Sequence, residues 1–330
     1  QKMIETSIKG EKKTGAHSDV ANVIYHYFKS RFVCANIKDN IWYYWNEKNG
    51  GRWEETEMGH VLRSRLSHEI VNLYMHYQTK WQNEATQYGE DDERYSIFNN
   101  RVANCSKVII QLKDSGYKDK IMKECKEKFY DGEFMDKLNS KKNLIGFDNG
   151  VIDLKYESMN HNNSIEKEII FRQGRPDDYV SLSVGYSLPI DKSEMPVNVD
   201  KIKNNIVHIT DYESLNDDLD DFIEKVLPNE DVRDYTLRFL SSCLSGEVRE
   251  EKFYFWTGSG GNGKSKLNDL IKLCLGQYAC NLPVTVLTQK RKASGAANPE
   301  MAITRGKRWV YLQEPDVKET LNVGEMKEIT

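Results

Sequence analysis

The eight residues Gly258–Ser265, GSGGNGKS, constrain this chain more than any other stretch. They match GxxxxGK[ST] at every fixed position: Gly258, Gly263, Lys264 and Ser265. The run before them, KFYFWT over 252–257, is aromatic and reads as a buried strand. After them, Leu267, Leu270, Ile271, Cys274 and Leu275 recur on one face of a predicted helix, with Gly276 as its stop. Strand, glycine loop, helix is the setting of a phosphate-binding loop. Backbone N–H groups close around a polyphosphate there, and the helix N-terminus adds partial positive charge. In this setting Gly258, Ser259, Gly260, Gly261, Asn262 and Gly263 form the cradle. Lys264 reaches the β- and γ-phosphates, and the Ser265 hydroxyl binds Mg²⁺. The bland alternative is a glycine-rich turn that matches by chance; strand and helix patterns on both sides argue against it.

A second stretch completes the pattern. WVYLQEP over 309–315 is an apolar strand pattern ending in Glu314, 50 residues beyond Lys264. An acid at the end of a strand beside a phosphate loop is where an NTPase places its Mg²⁺-binding or water-positioning carboxylate. Glu314 is the expected catalytic and metal-binding acid, ahead of Asp316, which lies past Pro315. On its own, Glu314 would read as an ordinary strand end; the phosphate loop changes its weight.

The bulk properties set bounds. A length of 330 residues suggests about two domains. Hydrophobic residues at 38% and charged ones at 30% point to a soluble globular chain, and no apolar run is long enough to span a bilayer. The opening QKMIETSIKGEKK is polar and is no secretory signal, and a first residue that is not Met suggests a piece of a longer protein. Cys34, Cys105, Cys125, Cys243, Cys274 and Cys280 are scattered with no CxxC pair, which fits reduced thiols in an intracellular compartment. A net charge of −4 does not advertise a nucleic-acid binder, but a local basic stripe suffices for one.

Upstream, residues 1–15 read as a loose polar lead-in, and a helix is expected from Ser18, capped by Ser18 or Asp19, with Val20, Val23, Ile24 and Phe28 inward. IWYYW over 41–45 and Arg52-Trp53 flank Asn49-Gly50-Gly51, a β-hairpin pattern. Trp42, Tyr43, Tyr44, Trp45 and Trp53 suit either cross-strand core packing or base stacking. Residues 58–140 read as mostly helical, broken at Ser115-Gly116. His60, His68 and His76 lie eight apart, a step that drifts roughly 80° around a helix, so they are expected to be ordinary surface or packing residues rather than metal ligands. NLIGFDNGVIDL over 143–154 reads as a second hairpin, 157–168 as a surface loop, and 189–207 as a linker or long loop. Two helices are expected between Tyr212 and Ser245, the first with a solvated acidic face (Asp217, Asp218, Asp220, Asp221, Glu224). Between Val286 and Val310, Lys290, Arg291, Lys292, Arg305, Lys307 and Arg308 face a single acid, Glu300; this is either a nucleic-acid-contacting loop or a solvated one.

Four stretches together resemble the superfamily 3 helicases of the poxvirus-type primase–helicase group of large DNA viruses and phages. LSSCLSG (240–246) with KFYFWTGSGGNGKS (252–265) resembles that group's entry to the ATPase site. MAITRGKRWVYLQEP (301–315) resembles its second acidic motif, introduced by Ala-x-x-x-Gly-Lys-Arg. NVGEMKEIT (322–330) resembles the start of its third motif, and upstream NLIGFDNGVIDL (143–154) with FRQGRPDDY (171–179) resembles its preceding domain.

The resemblance implies an α/β P-loop NTPase core, AAA+-like and cut short at its C-terminus, over 247–330. A helical collar or linker would cover 211–246, and a mixed α+β accessory domain rich in helices 16–210. It implies an ATP-dependent DNA helicase of viral replication working as a homo-hexamer. Its partners would be single-stranded or forked DNA and a primase domain or other replication proteins, with no membrane. Lys290, Arg291, Lys292 and Lys327 are the candidate DNA contacts. A nucleotide kinase, or a non-catalytic fragment that oligomerises or docks DNA, are the rival readings.

Overall fold

The computed structural model describes the chain except residues 10–13, 160–164, 207–211, 248–250, 289–298, 314–319 and 330. It divides into two compact units: Gln1–Asn46 with Trp53–Lys137, and Glu47–Arg52 with Leu138–Thr330. The boundary at Lys137 falls inside the stretch that the sequence assigns to one accessory domain.

The first unit runs α1 (Lys2–Lys9), α2 (His17–Phe28), strands β1 (Phe32–Asn36), β2 (Ile41–Asn46) and β3 (Arg52–Glu57), then α3 (His60–Arg65), a π-helical turn Leu66–Ile70, α4 (Val71–Ala85), α5 (Glu93–Gln111), α6 (Ser115–Lys128) and the short α7 (Phe134–Lys137). Of the expected loose lead-in, Lys2–Lys9 are instead helical, and 10–13 lie outside the described residues. Ile4 and Ile8 of α1 are buried, and Ser7 shares a 2.7 Å hydrogen bond with the Tyr74 hydroxyl. Its apolar residues sit four apart, so one helical face reaches the core despite a polar composition. α2 begins one residue earlier than expected, after Ala16, with no side-chain cap. Ser115-Gly116 open α6 rather than break a helix, because the Asp114 side chain accepts from Tyr117 N–H and caps it.

The aromatic cluster is core. Trp42, Tyr43, Trp45 and Trp53 are buried, and Phe134 packs on both Tyr43 and Trp53 at 5.1 Å between ring centres. No face of these buried rings is left for a stacked base. His60, His68 and His76 are all exposed, and no metal-holding cluster of His, Cys, Asp or Glu occurs among the described residues. Cys105 and Cys125 are buried, and that burial pushes their thiols up to about 12.

The second unit opens with an antiparallel sheet of β4 (Leu144–Phe147), β5 (Gly150–Met159), β6 (Ile165–Arg172) and β7 (Val197–Asn198), in that order. The hairpin pairs Phe147 with Gly150. Two expected loops are strands and helix instead. Residues 157–159 and 165–168, the two ends of the expected surface loop, extend β5 and β6 on a ladder whose backbone pairing does not depend on side-chain polarity, and 160–164 lie outside the described residues. Likewise 189–207 contains β7 and helix α8 (Val199–Ile206), with Val197 and Ile202 buried.

Arg172 at the end of β6 is buried and paired with Asp178 at 2.7 Å and Asp153 at 3.1 Å. This triad folds the FRQGRPDDY stretch back on the sheet. Helices α9 (Tyr212–Val226) and α10 (Glu230–Cys243) follow as expected, with α9 burying no residue fully. The remainder is α11 (Lys264–Leu275), β8 (Ala279–Leu282), α12 (Thr285–Thr288), α13 (Pro299–Ala302), β9 (Trp309–Leu312) and α14 (Val323–Ile329). Among the described residues, no helix is long and apolar enough to cross a membrane.

Candidate functional site

The glycine-rich loop does fold into a helix start. Gly263 sits at φ +84°, the left-handed region, and α11 begins at Lys264. A Cβ on Gly263 would lie 2.6 Å from the Val226 side chain at the end of α9, so both backbone and space demand glycine here. No side chain caps α11, which leaves its first N–H groups to bind something else. The Lys264 ammonium is half-exposed. It donates to Asn262 Oδ1 at 2.8 Å and to the Gly258 carbonyl at 3.4 Å, both within its own loop. Gly258, Ser259, Gly260, Gly261 and Asn262 are exposed, as is Ser265 in the first turn of α11.

The frame around the loop is a parallel pair. β8 and β9 run side by side with Ala279 opposite Trp309 and Leu282 opposite Leu312. Parallel pairing needs a covering helix, and α11 supplies its buried Leu267, Ile271 and Leu275 to the core that includes Trp309. The Trp309 indole N–H donates to Asn268 Oδ1 at 2.8 Å, tying β9 to the loop's helix.

The aromatic run 252–257, expected as a buried strand, forms no ladder among the described residues, and Phe255 is exposed. Its side chains do the holding: Tyr254 stacks on Phe239 of α10 at 3.7 Å and Trp256 meets Trp309 at 5.6 Å. β-propensity favours a strand only where a backbone partner exists, and here ring packing fixes the run instead.

Of the other expected residues, Glu314, Lys290, Arg291 and Lys292 lie outside the described residues. Lys327 is exposed on α14, far along the chain from the loop.

The residue that motif reading did not single out is Arg308. Its guanidinium donates to the carbonyls of Lys142 and Leu244, each at 2.7 Å, and of Leu144 at 2.9 Å. Its own N–H donates to the Tyr278 carbonyl at 2.7 Å. Burial pulls its pKa below the usual arginine value, with Tyr278 opposing. The Gly-Lys-Arg element before β9 was the only signal for it in the sequence.

Residues 21–208 match the family described as D5 N terminal like. The chain belongs to that family. It is 35% identical over 332 residues to "Putative helicase L207/L206" of Acanthamoeba polyphaga mimivirus, covering 99% of this chain and 31% of that protein. It is 26% identical over 387 residues to "Putative helicase 022R" of Frog virus 3 (isolate Goorha), covering 96% of this chain and 38% of that protein. A shorter match, 29% over 108 residues, links 32% of this chain to 11% of "Putative primase C962R" of African swine fever virus. The chain thus spans about a third of the length of the two helicase-named relatives. Their names place this D5-family chain beside helicases and a primase of large DNA viruses.

Proposed function

We propose that this chain carries the nucleotide-binding part of an ATP-dependent replicative helicase of superfamily 3, within a primase–helicase polypeptide. The observation that carries the reading is the turn at Gly263. A left-handed glycine delivers Lys264 and an uncapped helix start to an exposed loop, beside a parallel strand pair.

The β- and γ-phosphates of ATP would take the loop N–H groups of 258–265 and the Lys264 ammonium. Among the described residues, that ammonium is held only by Asn262 and a carbonyl of its own loop. An exposed donor with such local partners exchanges them for phosphate oxygens at little cost. Lys264 would then neutralise charge that grows on the phosphates during transfer, and Glu314 would orient the attacking water. Ser265 offers an exposed hard oxygen at the helix start, which suits Mg²⁺. Ser265 and Glu314 would hold that ion, and it supplies charge neutralisation at the phosphates. The AAA+-like core, the homo-hexameric ring and DNA as the translocated partner, with Lys290, Arg291, Lys292 and Lys327 as its contacts, belong to the same reading. The helicase part of that reading is supported by the names of the viral relatives.

The deciding experiment is ATP hydrolysis by the full-length protein with and without single-stranded DNA. Hydrolysis stimulated by DNA and lost in Lys264→Ala is the expected result. Phosphate transfer to AMP or thymidylate, or full activity in Lys264→Ala, would overturn the assignment.

A further inference from the structure

We infer that Arg308 is a positioning residue for the proposed ATPase, clamping the start of β9 to the β4 strand and to the end of α10 through three backbone carbonyls. The inference rests on the nucleotide site proposed above.

Arg308 has no ion-pair partner among the described residues. Its donors are spent on Lys142 and Leu244 through one nitrogen and on Leu144 through another. A guanidinium presents rigid, planar donors, so one side chain can fix three separate segments at once. The Leu244 carbonyl belongs to the end of α10, where a positive charge also meets the negative end of the helix dipole. The approach is close enough to dictate a neighbour. Gly246 lies at φ +59°, and a Cβ there would sit 2.1 Å from the Arg308 Nη1.

A second set of contacts runs through the same point. Arg308 N–H holds the Tyr278 carbonyl, and its guanidinium carbon lies 5.6 Å from the Tyr278 ring centre. Tyr278 is buried; its hydroxyl accepts from Gly146 N–H at 2.8 Å and donates to the Leu182 carbonyl at 3.2 Å. One residue earlier, Gln277 and Ser183 exchange two hydrogen bonds, at 2.9 and 2.8 Å. Tyr278 closes the turn that follows α11, the helix that starts at Lys264. Both strands of the parallel pair are therefore pinned at their starts to the β4 sheet at one joint. A strand that carries its acid a few residues further on is only as well placed as its anchored end. Misplacement of a reacting group by about 1 Å costs on the order of 100-fold in rate.

The test uses the full-length protein carrying Arg308→Ala, Arg308→Lys or Gly246→Ala. Expected is a kcat for ATP lowered on the order of 100-fold in Arg308→Ala with KM for ATP unchanged, because the phosphate loop itself is intact. Guanidinium added at millimolar levels should restore part of that kcat. Gly246→Ala should reproduce the loss. A folded Arg308→Ala with wild-type kcat, or one that changes KM alone, overturns the inference. Should Arg308→Ala not fold, Arg308→Lys decides: it keeps the charge but not the fork, and its kcat should fall with KM unchanged. Wild-type kcat in that variant would make Arg308 a stability residue only. If the wild-type protein does not turn over ATP, the site reading fails by itself. Amide exchange then tests the clamp: faster exchange at 144–147 and 309–312 in Arg308→Lys supports it, and unchanged exchange overturns it.

Discussion

Arg172 and Lys264 both stand in charged, glycine-bearing stretches of similar look, FRQGRPDDY and GSGGNGKS, yet they end in opposite situations. Arg172 is buried and held by two carboxylates that are nearly as buried. Lys264 is half-exposed, and among the described residues its ammonium meets no carboxylate, only an amide oxygen and a carbonyl of its own loop. The first arrangement is closed: both terminal guanidinium nitrogens of Arg172 are already spent on carboxylates, and changing one member strands the others. The second is open: its contacts are local and replaceable, its loop residues 258–262 are exposed, and no side chain caps the helix that follows. A charge that is buried and paired reads as scaffold, whereas a charge that is exposed and loosely held reads as available to a ligand.

The sharpest way to break this contrast is to exchange the two outcomes. Lys264→Ala should lower ATP hydrolysis by at least about 100-fold, as removal of a charge stabiliser at a reacting group does. Its thermal unfolding should stay at the wild-type temperature. A large drop in melting temperature would instead make Lys264 a structural residue. Arg172→Met should do the reverse. It leaves Asp153 and Asp178 buried without their partner and should destabilise the fold by about 3–5 kcal/mol in urea unfolding.

Smaller substitutions sharpen the same boundary within the second unit. Gly146→Ala would bring a methyl group 2.2 Å from the Leu182 carbonyl in the joint beneath Tyr278. Overpacking of this kind costs about 1–3 kcal/mol, read by urea titration, and should leave ATP affinity unchanged. Asn229 caps α10 by accepting from Val232 N–H at 3.0 Å. Asn229→Ala should cost about 1 kcal/mol, seen as a small shift of the unfolding midpoint. An effect of Asn229→Ala as large as that of Arg172→Met would erase the distinction between surface cap and buried triad.

The glycine-rich turn before α11 was legible because its shape is written in short-range rules. Glycine at the left-handed position and apolar residues at helical spacing are both visible within about 20 residues, and the helix start fell where they put it. The α4–α6 helices and the β4–β5 hairpin were legible for the same reason. The errors fall where a local rule met a distant partner. The lead-in became α1 because Ile4 and Ile8 find a core built from later helices. Residues 157–159 and 165–168 became strand because β5 and β6 pair by backbone. The aromatic run 252–257 stayed without a ladder because its rings found Phe239 and Trp309.

The sequence by itself determined the local folds: where the chain turns, where Lys264 meets the head of a helix, and which faces are apolar. Tertiary structure alone decided which charges are spent and which are free. Arg305, Lys307 and Arg308 are three basic residues in one four-residue stretch, indistinguishable by composition from a solvated basic loop. Only the fold sets three carbonyls, from segments more than 60 and more than 160 residues away in sequence, within reach of Arg308. Hydrogen bonding is directional and short-ranged, so the role of a charge is settled by what the folded chain places within about 3 Å of it.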